Sequence, residues 1–102
     1  MIEIIDYKAI GRGTFLAIIT LKLPKMANFI IRNVLVFGKN GHKWVVMPSK
    51  EYEKDGQKKF FPLVAFEDPA INKRFQETIL KTYDEYIIKQ GTINLNQSKQ
   101  KV

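Results

Sequence analysis

Gly38-Lys39-Asn40-Gly41-His42-Lys43-Trp44-Val45-Val46-Met47-Pro48-Ser49-Lys50 is the stretch whose reading decides the fold. Asn-Gly between apolar runs signals a tight hairpin, because both residues tolerate the positive φ of primed turns. The turn pairs Phe29–Phe37, a β-rich run, with Lys43–Met47. The second strand stops at Pro48, which has no N–H to donate to a ladder. Ser49 and Lys50 are thereby delivered at a sheet rim, where a hydroxyl and a cation can meet a partner. That placement favours a binding surface over a catalytic cleft.

Upstream of the hairpin, Glu3–Ala9 reads as a first strand and Gly11-Arg12-Gly13 as a flexible turn. Thr14–Leu23 is the clearest strand. Its period of two puts Phe15, Ala17, Ile19, Leu21 and Leu23 on one face. The other face, from Thr14 to Lys22, is only partly polar, so both faces are expected to be covered: one by a helix, the other by a second subunit. On Phe29–Phe37 the same period groups Phe29, Ile31, Asn33, Leu35 and Phe37 against Ile30, Arg32, Val34 and Val36.

Downstream, Glu51–Lys59 reads as a charged turn or mobile loop around Asp55-Gly56. Phe60–Phe66 returns as a strand, with Pro62 marking an edge or bulge. Asp68 is set to cap a helix that begins at Pro69. Ile71, Phe75, Ile79, Tyr83 and Tyr86 form its apolar stripe, and Gly91 is its expected C-cap. The expectation is one α+β domain over residues 1–90: an antiparallel sheet of about four to five strands with one main C-terminal helix, followed by a mobile tail over residues 91–102.

The 102 residues are 45% hydrophobic, enough for one modest core and too apolar for disorder. Cysteine is absent, which excludes disulfides and thiolate metal sites. No leader pattern is found, and no apolar run approaches the ~18 residues of a spanning helix. A soluble cytoplasmic protein that needs no cofactor, metal or membrane is the expectation.

Net charge is +7, and its distribution is uneven. From Tyr7 to Lys50 there is no Asp or Glu, while Lys8, Arg12, Lys22, Lys25, Arg32, Lys39, Lys43 and Lys50 fall in that span. Such a block is either an electrostatic footprint for nucleic acid or an anionic surface, or a solubility charge on exposed turns. The helix carries Lys73, Glu77, Lys81, Glu85 and Lys89 as an i,i+4 ladder of alternating sign, each pair worth ~0.2–0.5 kcal/mol. Arg74 stands outside that ladder. Cations near a helix start oppose the dipole, yet the amides there favour phosphate. Tyr52, just past Lys50, is the better candidate for stacking on a base; Phe37 is assigned to the core, and Trp44 fits either role. His42 is the single histidine, in a turn, with no carboxylate nearby in sequence to orient it. With no nucleophile–base pair in view, a non-enzymatic protein is expected.

Taken together, these segments resemble the SpoVG (septation protein) family. The resemblance runs through Leu16–Leu21, Phe29–Val36, the Met47-Pro48-Ser49-Lys50 strand end, Asp55-Gly56, and a helix bearing Lys73-Arg74-Phe75, Ile79-Leu80 and Tyr83, covering most of residues 2–87. The chain departs from the family's His-Pro-Ile-like element, which Phe60-Phe61-Pro62-Leu63-Val64 replaces, and so resembles a divergent member. The resemblance implies a homodimeric α+β domain that binds nucleic acid, chiefly DNA and possibly RNA, in bacterial regulation linked to sporulation or septation. It also implies that Lys50, Lys73 and Arg74 are binding determinants, to which the reading of the residues themselves adds Ser49 and Tyr52. A protein–protein adaptor, docking through the second sheet face, is the alternative.

Overall fold

The computed structural model describes residues 2–100, and side chains over residues 2–91. Six strands and one long helix follow in chain order: β1 (Glu3–Arg12), β2 (Phe15–Leu23), a single 3-10 turn (Pro24–Met26), β3 (Phe29–Lys39), β4 (His42–Val46), β5 (Ser49–Lys54), β6 (Gln57–Pro62) and α1 (Pro69–Gln100). The architecture is α+β. β1 to β4 form an antiparallel sheet in sequential order, and β5 and β6 form a separate two-stranded ribbon. No helix among the described residues is long and apolar enough to cross a membrane.

The core lies between the four-stranded sheet and one face of α1. Ala17, Ile19, Leu21 and Leu23 of β2 are buried beside Ile31, Val34 and Val36 of β3 and Val45 and Met47 around β4. From the helix, Ile79 and Tyr83 close over them, with Phe75, Leu80 and Ile87 at the margin. Tyr7 of β1 packs its ring against Tyr83 and Tyr86, with centroids 6.4 and 5.4 Å apart. Burial raises the Tyr83 phenol above its ordinary pKa, and the potentials of Tyr7 and Asp84 add to the shift. Ile71, expected in the apolar stripe, is instead exposed.

The helix start is built as the sequence suggests. An Asp68 carboxylate oxygen accepts the Ala70 amide at 2.9 Å, and Asn72 Oδ1 accepts the Phe66 amide at 3.1 Å. The end differs. α1 runs through Gly91 to Gln100, and Gly91 is not among the left-handed glycines, so it caps nothing. The mobile tail expected over residues 91–102 falls mostly on side chains, and on residues 101–102, that lie outside the described ones.

Three departures from simple alternation decide what faces where. Asn33 adopts φ 59°, and pairing jumps from Ile31↔Leu21 to Val34↔Ile19. This bulge uses up one residue and flips the phase of β3. Ile31 therefore shares the helix side with Val34 and Val36, while Leu35 and Phe37 pass to the opposite face. A second irregularity lies between Phe15↔Phe37 and Ala17↔Val36 and moves Phe15 to that opposite face as well. The groupings expected for β2 and β3 are thus corrected at their ends, and Phe37 is not in the core. Phe15, Phe37 and Trp44 instead form a stacked row there, with centroids 5.1 and 5.8 Å apart, and His42 extends it at 5.7 Å.

The third departure concerns Glu51–Lys59, expected as a loop. Asp55 (φ 53°) and Gly56 (φ 75°) are both left-handed, the geometry of a two-residue primed turn. The turn folds Ser49–Lys54 back on Gln57–Pro62 as a regular hairpin. The strand expected over Phe60–Phe66 consequently ends at Pro62.

Candidate nucleic-acid interface

Met47-Pro48-Ser49 is the joint between sheet and ribbon. The Ser49 hydroxyl donates to the Met47 carbonyl at 2.7 Å, and the Leu63 amide donates to the Pro48 carbonyl at 2.8 Å. These two bonds tie both ribbon strands to the point where β4 stops. Beyond them, every residue of β5 after Ser49 and all of β6 are exposed.

Cross-strand pairing sorts the ribbon side chains onto two faces, since directly paired residues point the same way. The pairs Ser49↔Pro62, Glu51↔Phe60 and Glu53↔Lys58 share one face. Ser49 and Phe60 of that face line a groove of about 580 Å³ with Leu35, Phe37 and Val46, so it turns toward the sheet. The pairs Lys50↔Phe61, Tyr52↔Lys59 and Lys54↔Gln57 form the outer face. Both glutamates lie on the groove side, where Lys58 Nζ reaches Glu51 at 3.6 Å. The outer face holds three lysines and no acid, and none of those lysines closes an ion pair among the described residues.

Of the residues singled out from sequence, Lys50 and Tyr52 thus lie together on the outer face. Ser49 lies on the other side with its hydroxyl proton already committed, and its evident part is holding the joint. Lys73 and Arg74 are exposed on α1, on the side away from the sheet. The helix start does approach the ribbon base, because Ser49, Phe60 and Pro62 line one groove with Asn72 and Gln76. The two segments are neighbours, but no bond joins Lys50 to Lys73 or Arg74. The alternating ladder on α1 closes no ion pair among the described residues, so Lys73 is not held by Glu77.

The acid-free block of the sequence does not become one patch. Arg12 and Lys39 lie toward the hairpin-turn end of the sheet, and Lys25 lies at the other end. Lys22 pairs with Glu3 at 3.5 Å, and Lys43 with Asp84 at 3.2 Å. The concentrated cationic surface is on the ribbon, and Lys54, Lys59 and Phe61 belong to it although sequence reading passed over them. The signal was present: Lys50, Tyr52 and Lys54 alternate into Asp55-Gly56, and Lys59 and Phe61 alternate out. Among the described residues no three His, Asp or Glu side chains converge as a metal site would require.

No protein-family model matches this chain, and no curated protein matches it.

Proposed function

We propose that this chain is a dimeric nucleic-acid-binding regulatory protein of the SpoVG type, acting chiefly on DNA in bacterial gene control linked to sporulation or septation. One observation carries the nucleic-acid reading: a projecting ribbon keeps its acids on one face and presents Lys50, Lys54 and Lys59 without an acid on the other. Lysines placed so would neutralise phosphates and release counterions, giving an affinity that falls steeply with salt. Arg74 and Lys73, exposed near the same end of the molecule, would extend the cationic track. Titrating labelled DNA across salt concentrations tests this. A linear fall of log affinity with log salt is expected, and absence of binding at low salt would overturn it.

The dimer is supported by the sheet face that α1 leaves open. Phe15, Leu35, Phe37, Trp44 and Val46 are only half-buried there, and exposed Phe60 and Leu63 flank the same groove. The occupant we assign is a second copy of this chain. A two-fold axis lets Phe60 and Leu63 at the ribbon base of each protomer meet the open sheet of the other, which is the self-complementary arrangement of an isologous interface. Sedimentation of the wild type and Leu35→Lys checks it: a dimer that becomes a monomer is expected, and a wild-type monomer at high concentration contradicts it.

The same open face favours one second reading, an adaptor that docks a different protein and binds no nucleic acid. Capture with and without nuclease separates the two, since only a protein partner survives digestion.

A further inference from the structure

The lysines of the outer ribbon face account for attraction to phosphate, but not for the two aromatic rings among them. Phe61 is 55% exposed and Tyr52 43%. Both point away from the sheet, so neither contributes to the core. Exposed apolar bulk on a two-stranded ribbon is a liability for edge association, which makes its presence informative. The pairs Lys50↔Phe61 and Tyr52↔Lys59 set each aromatic residue directly across from a lysine. Directly paired residues have Cβ atoms about 5 Å apart, so each aromatic side chain has a lysine as its cross-strand neighbour, and further lysines lie two residues along the strands.

This checkerboard of cation and ring matches a polymer that alternates anion and π-face. A duplex offers phosphates and groove edges, while the faces of its bases are buried in the stack. Phe61 has no hydrogen-bonding group with which to read such an edge. Unpaired bases expose their faces, and stacking on aromatic side chains is how single strands are held without sequence readout. A second copy of this chain is a poor occupant, since it would set lysines against lysines. We infer that the outer ribbon face binds single-stranded nucleic acid: Tyr52 and Phe61 stack on unpaired bases, and Lys50, Lys54 and Lys59 hold the flanking phosphates. The inference rests on the nucleic-acid reading above and specifies its substrate class.

Fluorescence anisotropy with the full chain tests it, using labelled oligothymidylate, labelled oligouridylate and a DNA duplex of equal length. Tighter binding of either single strand than of the duplex is expected. Tyr52→Leu and Phe61→Leu keep apolar bulk on a ribbon that packs against nothing, so folding is spared. Each should weaken single-strand binding by about 5- to 150-fold, the range of one lost base stack, while duplex affinity stays within about twofold, since phosphate contacts dominate it. Duplex binding as tight as single-strand binding, or leucine variants that bind like the wild type, would overturn the inference and leave the nucleic-acid reading standing. Failure of all three probes at low salt would overturn both.

Discussion

The four-stranded sheet and the ribbon use the same period of two for different ends. On β2, alternation buries Ala17, Ile19, Leu21 and Leu23 under α1, and the intervening residues remain half-buried. On β5 and β6, alternation buries almost nothing and gathers both glutamates on one face, leaving Lys50, Lys54 and Lys59 on the other without an acid. One region converts pattern into stability, and the other converts it into a charged, ringed surface. A two-stranded ribbon is marginal alone, so its register depends on the Asp55-Gly56 turn and on the two bonds at its base.

The largest effect that sharpens this contrast is on stability. Ile79→Ala, at a fully buried position, should cost about 2–5 kcal/mol, whereas Phe61→Ala should stay within about 0.5 kcal/mol. Urea unfolding of both variants checks the pair, and comparable losses would break the distinction. Next, Lys50→Gln, Lys54→Gln and Lys59→Gln together should lower the slope of log affinity against log salt by about 2, from ~0.7 per phosphate contact on a single strand. Gly56→Val should then weaken binding while leaving the unfolding midpoint of the body nearly unchanged. Gly56 sits at φ 75°, which a β-branched residue strongly resists, and the distortion would be confined to the ribbon.

The smallest effect concerns pH. Burial raises the Tyr83 pKa, so the protonated phenol is the form that the fold favours. Its contribution is complete below the ordinary tyrosine pKa of about 10 and is lost as pH rises through the raised value. Alkaline unfolding should therefore be delayed in Tyr83→Phe relative to the wild type, as followed by circular dichroism.

Much of the body was legible in the residues. Asn40-Gly41 announced the β3–β4 hairpin, Asp68-Pro69 the helix start, and Thr14–Leu23 the central strand. Facing was less legible, because the bulge at Asn33 depends on how β3 registers against β2, and such a choice is made by tertiary pairing. The helix end was misplaced because glycine is tolerated inside a long helix at a cost of only about 1 kcal/mol. The ribbon was missed for a different reason. Charged strands carry no apolar alternation, so Glu51–Lys59 looked like a loop although Asp55-Gly56 is as good a hairpin turn as Asn40-Gly41. The residues mark Lys50 as a sheet-rim cation and Tyr52 as a stacking candidate, whereas the face that unites them with Lys54, Lys59 and Phe61 emerges only from strand pairing.

The central claim is that binding resides on one face of the ribbon and not in net charge at large. Two triple variants of equal charge test it most directly: Lys50→Gln, Lys54→Gln, Lys59→Gln on the outer face, and Lys8→Gln, Lys25→Gln, Lys39→Gln elsewhere. Dissociation constants for labelled oligothymidylate at fixed salt should rise at least about tenfold in the first and less than about threefold in the second. Equal losses in the two variants would contradict the account.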